Sequence, residues 1–226
     1  MSLFHEILRY LGYKNQNVDE VVTKQINKYI EFFQKNVKPK YMYRIFDVEV
    51  NEFISLKNTN VNFVGKDIYN HLKNASKCAV MAATLGAESE RILNLLSKTK
   101  ISEAIIFDAV CTAKIEEICD LCEEEIKSQV LKEGLYTNYR YSPGYGDFPL
   151  ESQKAITSIL GCHKGIGLTV TDSDLLIPRK SVTALIGIFE DKQNGYKKDC
   201  DLCGLSETCT YKKKGITCRE DDKDEF

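Results

Sequence analysis

The chain has 226 residues, 43% of them hydrophobic and 28% charged, with a formal net charge of -2. That near-balance excludes a global basic field for holding nucleic acid. No apolar run approaches the ~20 residues needed to cross a bilayer. Acidic and basic residues are mixed over most of the length, except for an acidic tail at 219–226, which is expected to be solvated. The first residues lack a signal-peptide layout, so the expected location is the cytoplasm. Thiols stay reduced there, and the 9 cysteines should be free, metal-bound or buried rather than paired.

Leu3, Phe4, Ile7, Leu8 and Leu11 recur at helical spacing, and Gly12 can end that helix. A second helix is expected over 17–34, with Val18, Val22, Ile26, Ile30 and Phe33 on one face; Pro39 then breaks the pattern. Residues 41–50 read as a strand with Met42, Phe46, Val48 and Val50 on one side and Asp47 and Glu49 on the other. A short helix is expected over 64–74, and a wholly apolar strand over 78–84. Leu85-Gly86 turns that strand into a helix carrying Ile92, Leu95 and Leu96. The longest helix is expected over 102–131, where Ala104, Phe107, Cys111, Ile115, Ile118, Cys122 and Ile126 follow the 3–4 spacing of a packed face. Residues 150–160 form a further helix, with Pro149 near its first turn and Gly161 after its end. Strands over 168–171 and 182–189 flank a loop holding Pro178-Arg179-Lys180-Ser181.

Strands and helices alternate without a strict βαβ repeat. The fold class is therefore α+β, a mainly antiparallel twisted sheet with flanking helices. The simplest division is one main domain over 1–195 and a cysteine-rich appendage with an acidic tail over 196–226.

The segment Arg140-Tyr141-Ser142-Pro143-Gly144-Tyr145-Gly146-Asp147-Phe148-Pro149 precedes the 150–160 helix. Pro143 fixes one backbone angle, while Gly144 and Gly146 admit positive ones, so backbone groups can approach a ligand closely. Arg140 can hold a carboxylate through two parallel hydrogen bonds. Tyr141 and Tyr145 offer ring faces to a purine or a sulfonium. On residue chemistry alone, this is equally a carboxylate-and-ring clamp or an ordinary strand-to-helix turn. Its glycine spacing fits neither a P-loop nor the dinucleotide fingerprint.

Arg140, Pro143, Gly144 and Tyr145 match the Arg-x-x-Pro-Gly-Tyr of a known family. Thr171-Asp172-Ser173, Leu175 to Ile177, Pro178 and Ser181-Val182-Thr183 match its downstream pattern, and Lys114-Ile115-Glu116 matches a helix bearing a ligand-contacting Glu. By these elements the chain resembles the reactivation (activation) domain of cobalamin-dependent methionine synthase, most specifically over 101–189. Arg9-Tyr10-Leu11-Gly12-Tyr13 resembles free-standing bacterial relatives of that domain. The resemblance implies a methionine synthase activation domain-like fold and binding of S-adenosylmethionine. It also implies reductive methylation of cob(II)alamin, with the cobalamin carried by a partner and one electron supplied by a low-potential donor. By carry-over, Arg140 would grip the methionine carboxylate and Glu116 would bond a polar group of the ligand. Ser142 and Gly144 would contact the ligand largely through backbone, and Tyr145 would sit near the sulfonium and the corrin face.

The sequence departs from the family in two respects. The family's His shortly after the turn falls here near Glu151, and its N-terminal Asp ligand has only Asp47 as a guess. No Asp-x-His-x-x-Gly cobalamin motif occurs, so the expected partner is a separate cobalamin-dependent methionine synthase or another corrinoid protein. The alternatives are an activator or methyl-transfer component of another corrinoid protein, with a metal or iron–sulfur tail, and, from a different class, a non-catalytic ligand-sensing module. In each case no nucleic-acid or membrane partner is expected.

Cys200, Cys203, Cys209 and Cys218 form a second constellation. Four thiolates can close a Zn site or hold an iron–sulfur cluster, and a cluster could feed an electron to cobalt. The opposing reading is a structural knuckle or reduced surface thiols. Cys78, Cys111, Cys119, Cys122 and Cys162 lie in apolar or helical settings and read as small core residues. His5, His71 and His163 do not cluster in sequence, and Lys180 could meet a negative group of the partner or be solvated.

Overall fold

The structure, a computed structural model, describes residues 2–13 and 16–192. Two helices open the chain: α1 (Leu3–Tyr10), capped by Ser2, and α2 (Glu20–Asn36), capped by Asp19. Strand β1 (Lys40–Val50) follows, then β2 (Ile54–Leu56), β3 (Asn62–Phe63), α3 (Lys66–Leu72) and β4 (Lys77–Thr84). The helical pair α4 (Ala87–Thr99) and α5 (Ile101–Leu131) leads to β5 (Tyr136–Thr137). The remaining elements are α6 (Ser152–Leu160), α7 (Cys162–Ile166), the hairpin of β6 (Thr169–Val170) and β7 (Leu176–Ile177), and β8 (Ser181–Phe189).

Six strands form one sheet in the order β3-β2-β1-β4-β8-β5, and its pairings are antiparallel. Both faces are covered. Along β4, Ala79, Met81 and Ala83 join the core under α5, whereas Cys78, Val80 and Ala82 join the core of α3, α6 and α7. A strand buried on both faces has no polar side to alternate with, hence its unbroken apolar run. Strand β1 is likewise packed on both faces. Met42, Phe46 and Val50 lie against the second core as their spacing predicts, while Tyr41, Tyr43 and Ile45 pack against the first.

Helix α5 is the spine of the molecule. Its 31 residues make it about 46 Å long at ~1.5 Å per residue. In the second half, one stripe of Ile115, Cys119, Cys122, Ile126 and Val130 is buried. In the first half, Ile106, Ala109, Val110 and Ala113 are buried as well, because α1, α2 and α4 pack against α5 from outside. Four cysteines, Cys78, Cys111, Cys119 and Cys122, have thiols pushed up to about 12 by burial. They are free and buried, as is Cys162.

The short strands β2, β3, β5 and β7 and the one-turn α7 escape the sequence reading. Runs of 2 or 3 residues carry too little periodicity to register. The metal-ligand expectation for Cys200, Cys203, Cys209 and Cys218, and the whole 196–226 appendage with them, lies outside the described residues. No helix among the described residues is long and apolar enough to cross a membrane.

Candidate functional site

The site grows from the way the chain returns along the sheet after α5. Tyr136 and Thr137 pair with Phe189 and Ile188. Asn138 then donates its N–H to Gly187 O at 3.1 Å and accepts the Gly187 N–H on its own side-chain oxygen at 2.7 Å. Tyr141 and Leu185 exchange two backbone hydrogen bonds of 2.9 Å each. This ladder fixes the segment leading into the turn and carries Arg140 against the side of α5.

Three carboxylates meet Arg140 there, from positions one helical turn apart on α5. Its Nη2 donates to Glu116 Oε2 at 2.8 Å, and its Nη1 donates to Asp120 Oδ1 and to Glu123 Oε2, each at 2.6 Å. The Arg140 side chain is only 13% exposed, whereas that of Asp120 is 66% exposed. Burial by itself works against the guanidinium, but Asp120 and Glu123 outweigh it and hold the charge firmly on. Tyr10 at the end of α1 lies near Glu116. Its phenol is pushed up by burial and by the negative charge of Glu116.

The same flank of α5 bears a second cation. Lys180 Nζ donates to Thr112 Oγ1 at 2.7 Å and pairs with Asp108 at 2.9 Å. Neighbouring Arg179 is held by Glu90 through both backbone and side chain. Lys180 is thus a strut between the Pro178 loop and α5, not a solvated hairpin lysine.

Beyond Arg140 the chain makes a closed turn. Gly144 donates to Phe148 O at 2.8 Å, Tyr145 to Ser142 O at 3.2 Å and Phe148 to Tyr145 O at 3.0 Å. Gly144 and Gly146 both take positive φ, 91° and 53°, a region that residues with a Cβ enter only at a cost. Phe148 anchors the turn from beneath, packing on Phe63 and stacking on Tyr141 with centroids 6.2 Å apart. Tyr145 stays 65% exposed at the tip, with its ring 6.1 Å from that of Tyr141. Asp147 bonds the first N–H groups of α3, and His71 of α3 packs on Tyr139 and Tyr141.

Of the residues singled out by sequence, Glu116 and Arg140 are in direct contact, and Ser142, Gly144 and Tyr145 follow Arg140 in one turn. Asp47 lies elsewhere. It lines a cleft of about 610 Å³ with Arg44, Lys57, Lys77 and Glu133, on the β1 side of the sheet. His163 is exposed on α7. Asp120, Glu123, Tyr10, Asp67, Asp147 and His71 were not anticipated. The spacing of Glu116, Asp120 and Glu123 on one helical flank is a signal that could have found two of them. Among the described residues, no group of three His, Cys, Asp or Glu side chains could hold a metal ion.

A pair of opposite charges with donors and acceptors on adjacent atoms is suited to an α-amino acid head. Arg140 can meet a carboxylate, Glu116 can meet an ammonium, and the turn with its exposed Tyr145 can offer backbone and a ring face to the rest of such a molecule. Comparison with known proteins bears on the fold and the family. Residues 116–196 match the family model described as vitamin B12 dependent methionine synthase, activation domain. The crystal structure of the MetH reactivation domain bound to AdoHcy superposes with a TM-score of 0.61, covering 93% of this chain and 80% of that chain at 16% sequence identity. No curated protein matches the chain. The molecule has the fold of that reactivation domain, and over residues 116–196 it resembles the activation domain of vitamin B12 dependent methionine synthase.

Proposed function

We propose that this chain binds S-adenosylmethionine at the Glu116–Arg140 pair and the 142–145 turn. In this reading it serves as a reactivation factor for a cobalamin-dependent methionine synthase carried on a separate chain. The observation that carries the reading is the 2.8 Å contact between Arg140 and Glu116, both inside the stretch that matches the activation-domain model.

In this reading Arg140 orients the ligand carboxylate and Glu116 orients its ammonium. Ser142 and Gly144 supply backbone contacts, and Tyr145 flanks the sulfonium. The ligand contributes a methyl group bound to a positively charged sulfur, and the partner's corrinoid contributes the cobalt that receives it. The protein's own work is positioning and electrostatics rather than proton transfer. A low-potential donor supplies one electron. The cysteine set at 200, 203, 209 and 218 is a proposed metal-binding element whose occupant metal analysis of anaerobically purified protein would name.

Calorimetric titration with S-adenosylmethionine tests the ligand, and Arg140→Ala tests the site. Binding that survives Arg140→Ala unchanged overturns the site assignment. The role itself is read by reconstitution with a cobalamin-loaded synthase lacking its own reactivation domain, S-adenosylmethionine and a reductant. Methylcobalamin formation should depend on this chain. Formation at the same rate without the chain refutes the role.

A further inference from the structure

We infer that Asp120 is a built-in stand-in for the ligand carboxylate, so that the ligand enters the site by exchanging one carboxylate for another on Arg140. The inference rests on the proposed function and adds the residue that regulates its affinity.

A guanidinium has five N–H donors, two on each Nη and one on Nε. Here Nη1 meets Asp120 and Glu123, and Nη2 meets Glu116. A bidentate grip on a carboxylate through the Nη1–Nη2 edge requires one donor from each nitrogen. Both donors of Nη1 are engaged, so one of its two carboxylates must leave before that edge can take a ligand.

Exposure decides which one leaves. The Asp120 side chain is 66% exposed against 25% for Glu123. Asp120 can turn into water and regain its hydration with little movement. Glu123 would have to be drawn out of a more enclosed position, and Glu116 is needed for the ligand ammonium. Asp120 has a shorter side chain and approaches from the middle of the three positions, between Glu116 and Glu123 on the helix.

The consequence is a site that is ordered before its ligand arrives. Arg140 is held near its working position by a carboxylate, which lowers the ordering cost of binding. The same contact competes with the ligand and weakens binding by the strength of one exposed ion pair. Ligands lacking a carboxylate take no part in the exchange.

The test compares the wild-type chain with Asp120→Asn, titrating S-adenosylhomocysteine and 5′-methylthioadenosine as probes. S-adenosylhomocysteine carries the amino acid head without a sulfonium charge, and 5′-methylthioadenosine lacks the head altogether. Release of the competitor should tighten S-adenosylhomocysteine by up to about fivefold, the upper end for an exposed ion pair, and leave 5′-methylthioadenosine unchanged. Glu123→Gln, whose carboxylate stays in place during the exchange, should not reproduce the selective gain.

Weaker or equal binding of S-adenosylhomocysteine by Asp120→Asn overturns the exchange, because a ligand using the Nε–Nη2 edge displaces nothing. An equal gain for both probes also overturns it, since that pattern reports a general charge effect. If the wild-type chain binds neither probe while unfolding cooperatively, the proposed function fails and the exchange falls with it. That outcome is distinct from normal binding without the selective gain.

Discussion

Asp67 and Asp147 cap one another across 80 residues of chain. The Asp147 carboxylate accepts the N–H groups of Lys66 at 2.6 Å and Asp67 at 2.9 Å, and the Asp67 carboxylate accepts the N–H of Asp147 at 3.2 Å. Helix α3 begins after Gly65 and has no side-chain cap from its own N-cap residue, so the turn of the proposed site supplies one. Asp147→Ala should therefore both loosen the turn and fray α3. The expected loss is a few degrees in Tm, as for a lost cap in a chain of this size. Backbone hydrogen bonds from Asp67 and Lys66 hold the Asp147 carboxyl below its usual value. A depressed carboxylate stabilises the fold above its unfolded pKa of about 3.9 and loses that contribution as pH falls through its folded pKa. The Tm difference between wild type and Asp147→Ala should thus be full at pH 7 and shrink below pH 4. A difference that does not change with pH would contradict the capping role.

Gly146 is fixed by the same contact. A Cβ built there lies 1.9 Å from Asp67 Oδ2 and 2.8 Å from the Tyr141 hydroxyl, at φ +53°. Gly146→Ala must displace the cap and adopt a strained backbone at once, a cost of at least ~1 kcal/mol. Paired with Asp67→Ala, the substitution keeps its backbone strain and its approach to Tyr141 but loses its worst clash. Its destabilisation in denaturant unfolding should be smaller in that background than in the wild type. Additive losses would show that Asp67 is not the obstacle.

The sequence made much of this molecule legible, and the parts it hid share a cause. Helix α5 was readable because five apolar residues recur along its second half, and β4 because an eight-residue run has one fully polar member, Lys77 at its edge, before the Thr84 that ends it. Arg140 was singled out on residue chemistry as equally a carboxylate clamp or an ordinary turn, and Glu116 only through resemblance; nothing local distinguishes a gripping arginine from a surface one. The Asp67–Asp147 cap left no trace, since its partners are 80 residues apart and each looks like an ordinary solvated aspartate. His71 was equally silent. Its neighbours Tyr139 and Tyr141 follow α5 in the chain, and the pairing of this segment with β8, through Asn138 and Tyr141, brings them over α3.

His71 should make the fold sensitive to mild acid. Burial pushes its imidazole down to about 4, partly offset by the nearby backbone of Tyr139 and Leu185. The folded state therefore keeps His71 neutral while the unfolded chain protonates it below about 6.5. With fewer protons bound in the folded state, stability is complete above pH 6.5 and declines as pH falls toward 4. The decline should total roughly 3 kcal/mol, since each pH unit between the unfolded and folded values is worth ~1.4 kcal/mol. Phenylalanine keeps the aromatic packing but does not titrate. Urea unfolding at pH 7.0, 5.5 and 4.5 should show a flatter profile for His71→Phe than for wild type. Parallel profiles would move the acid sensitivity to other groups.

Arg140→Lys separates charge from geometry at the proposed site. Lysine keeps the positive charge facing Glu116, Asp120 and Glu123, so the fold should tolerate it. What it lacks is the planar fork: an ammonium is a point charge that cannot give two parallel hydrogen bonds to one carboxylate. Binding of S-adenosylmethionine should fall about 10- to 100-fold, the loss of one to two charge-assisted hydrogen bonds at ~1.5 kcal/mol each. Glu116→Gln tests the other half of the clamp. It retains an acceptor for the ligand ammonium but removes the charge, so the expected loss is smaller, about tenfold. Unlike the arginine change, it should affect S-adenosylmethionine and an analogue lacking only the carboxylate alike. Arg140→Lys should hardly affect that analogue, because the group that Arg140 recognises is missing. If both variants weaken the two ligands equally, the pair acts as a single electrostatic patch, and the assignment of carboxylate to Arg140 and ammonium to Glu116 is wrong.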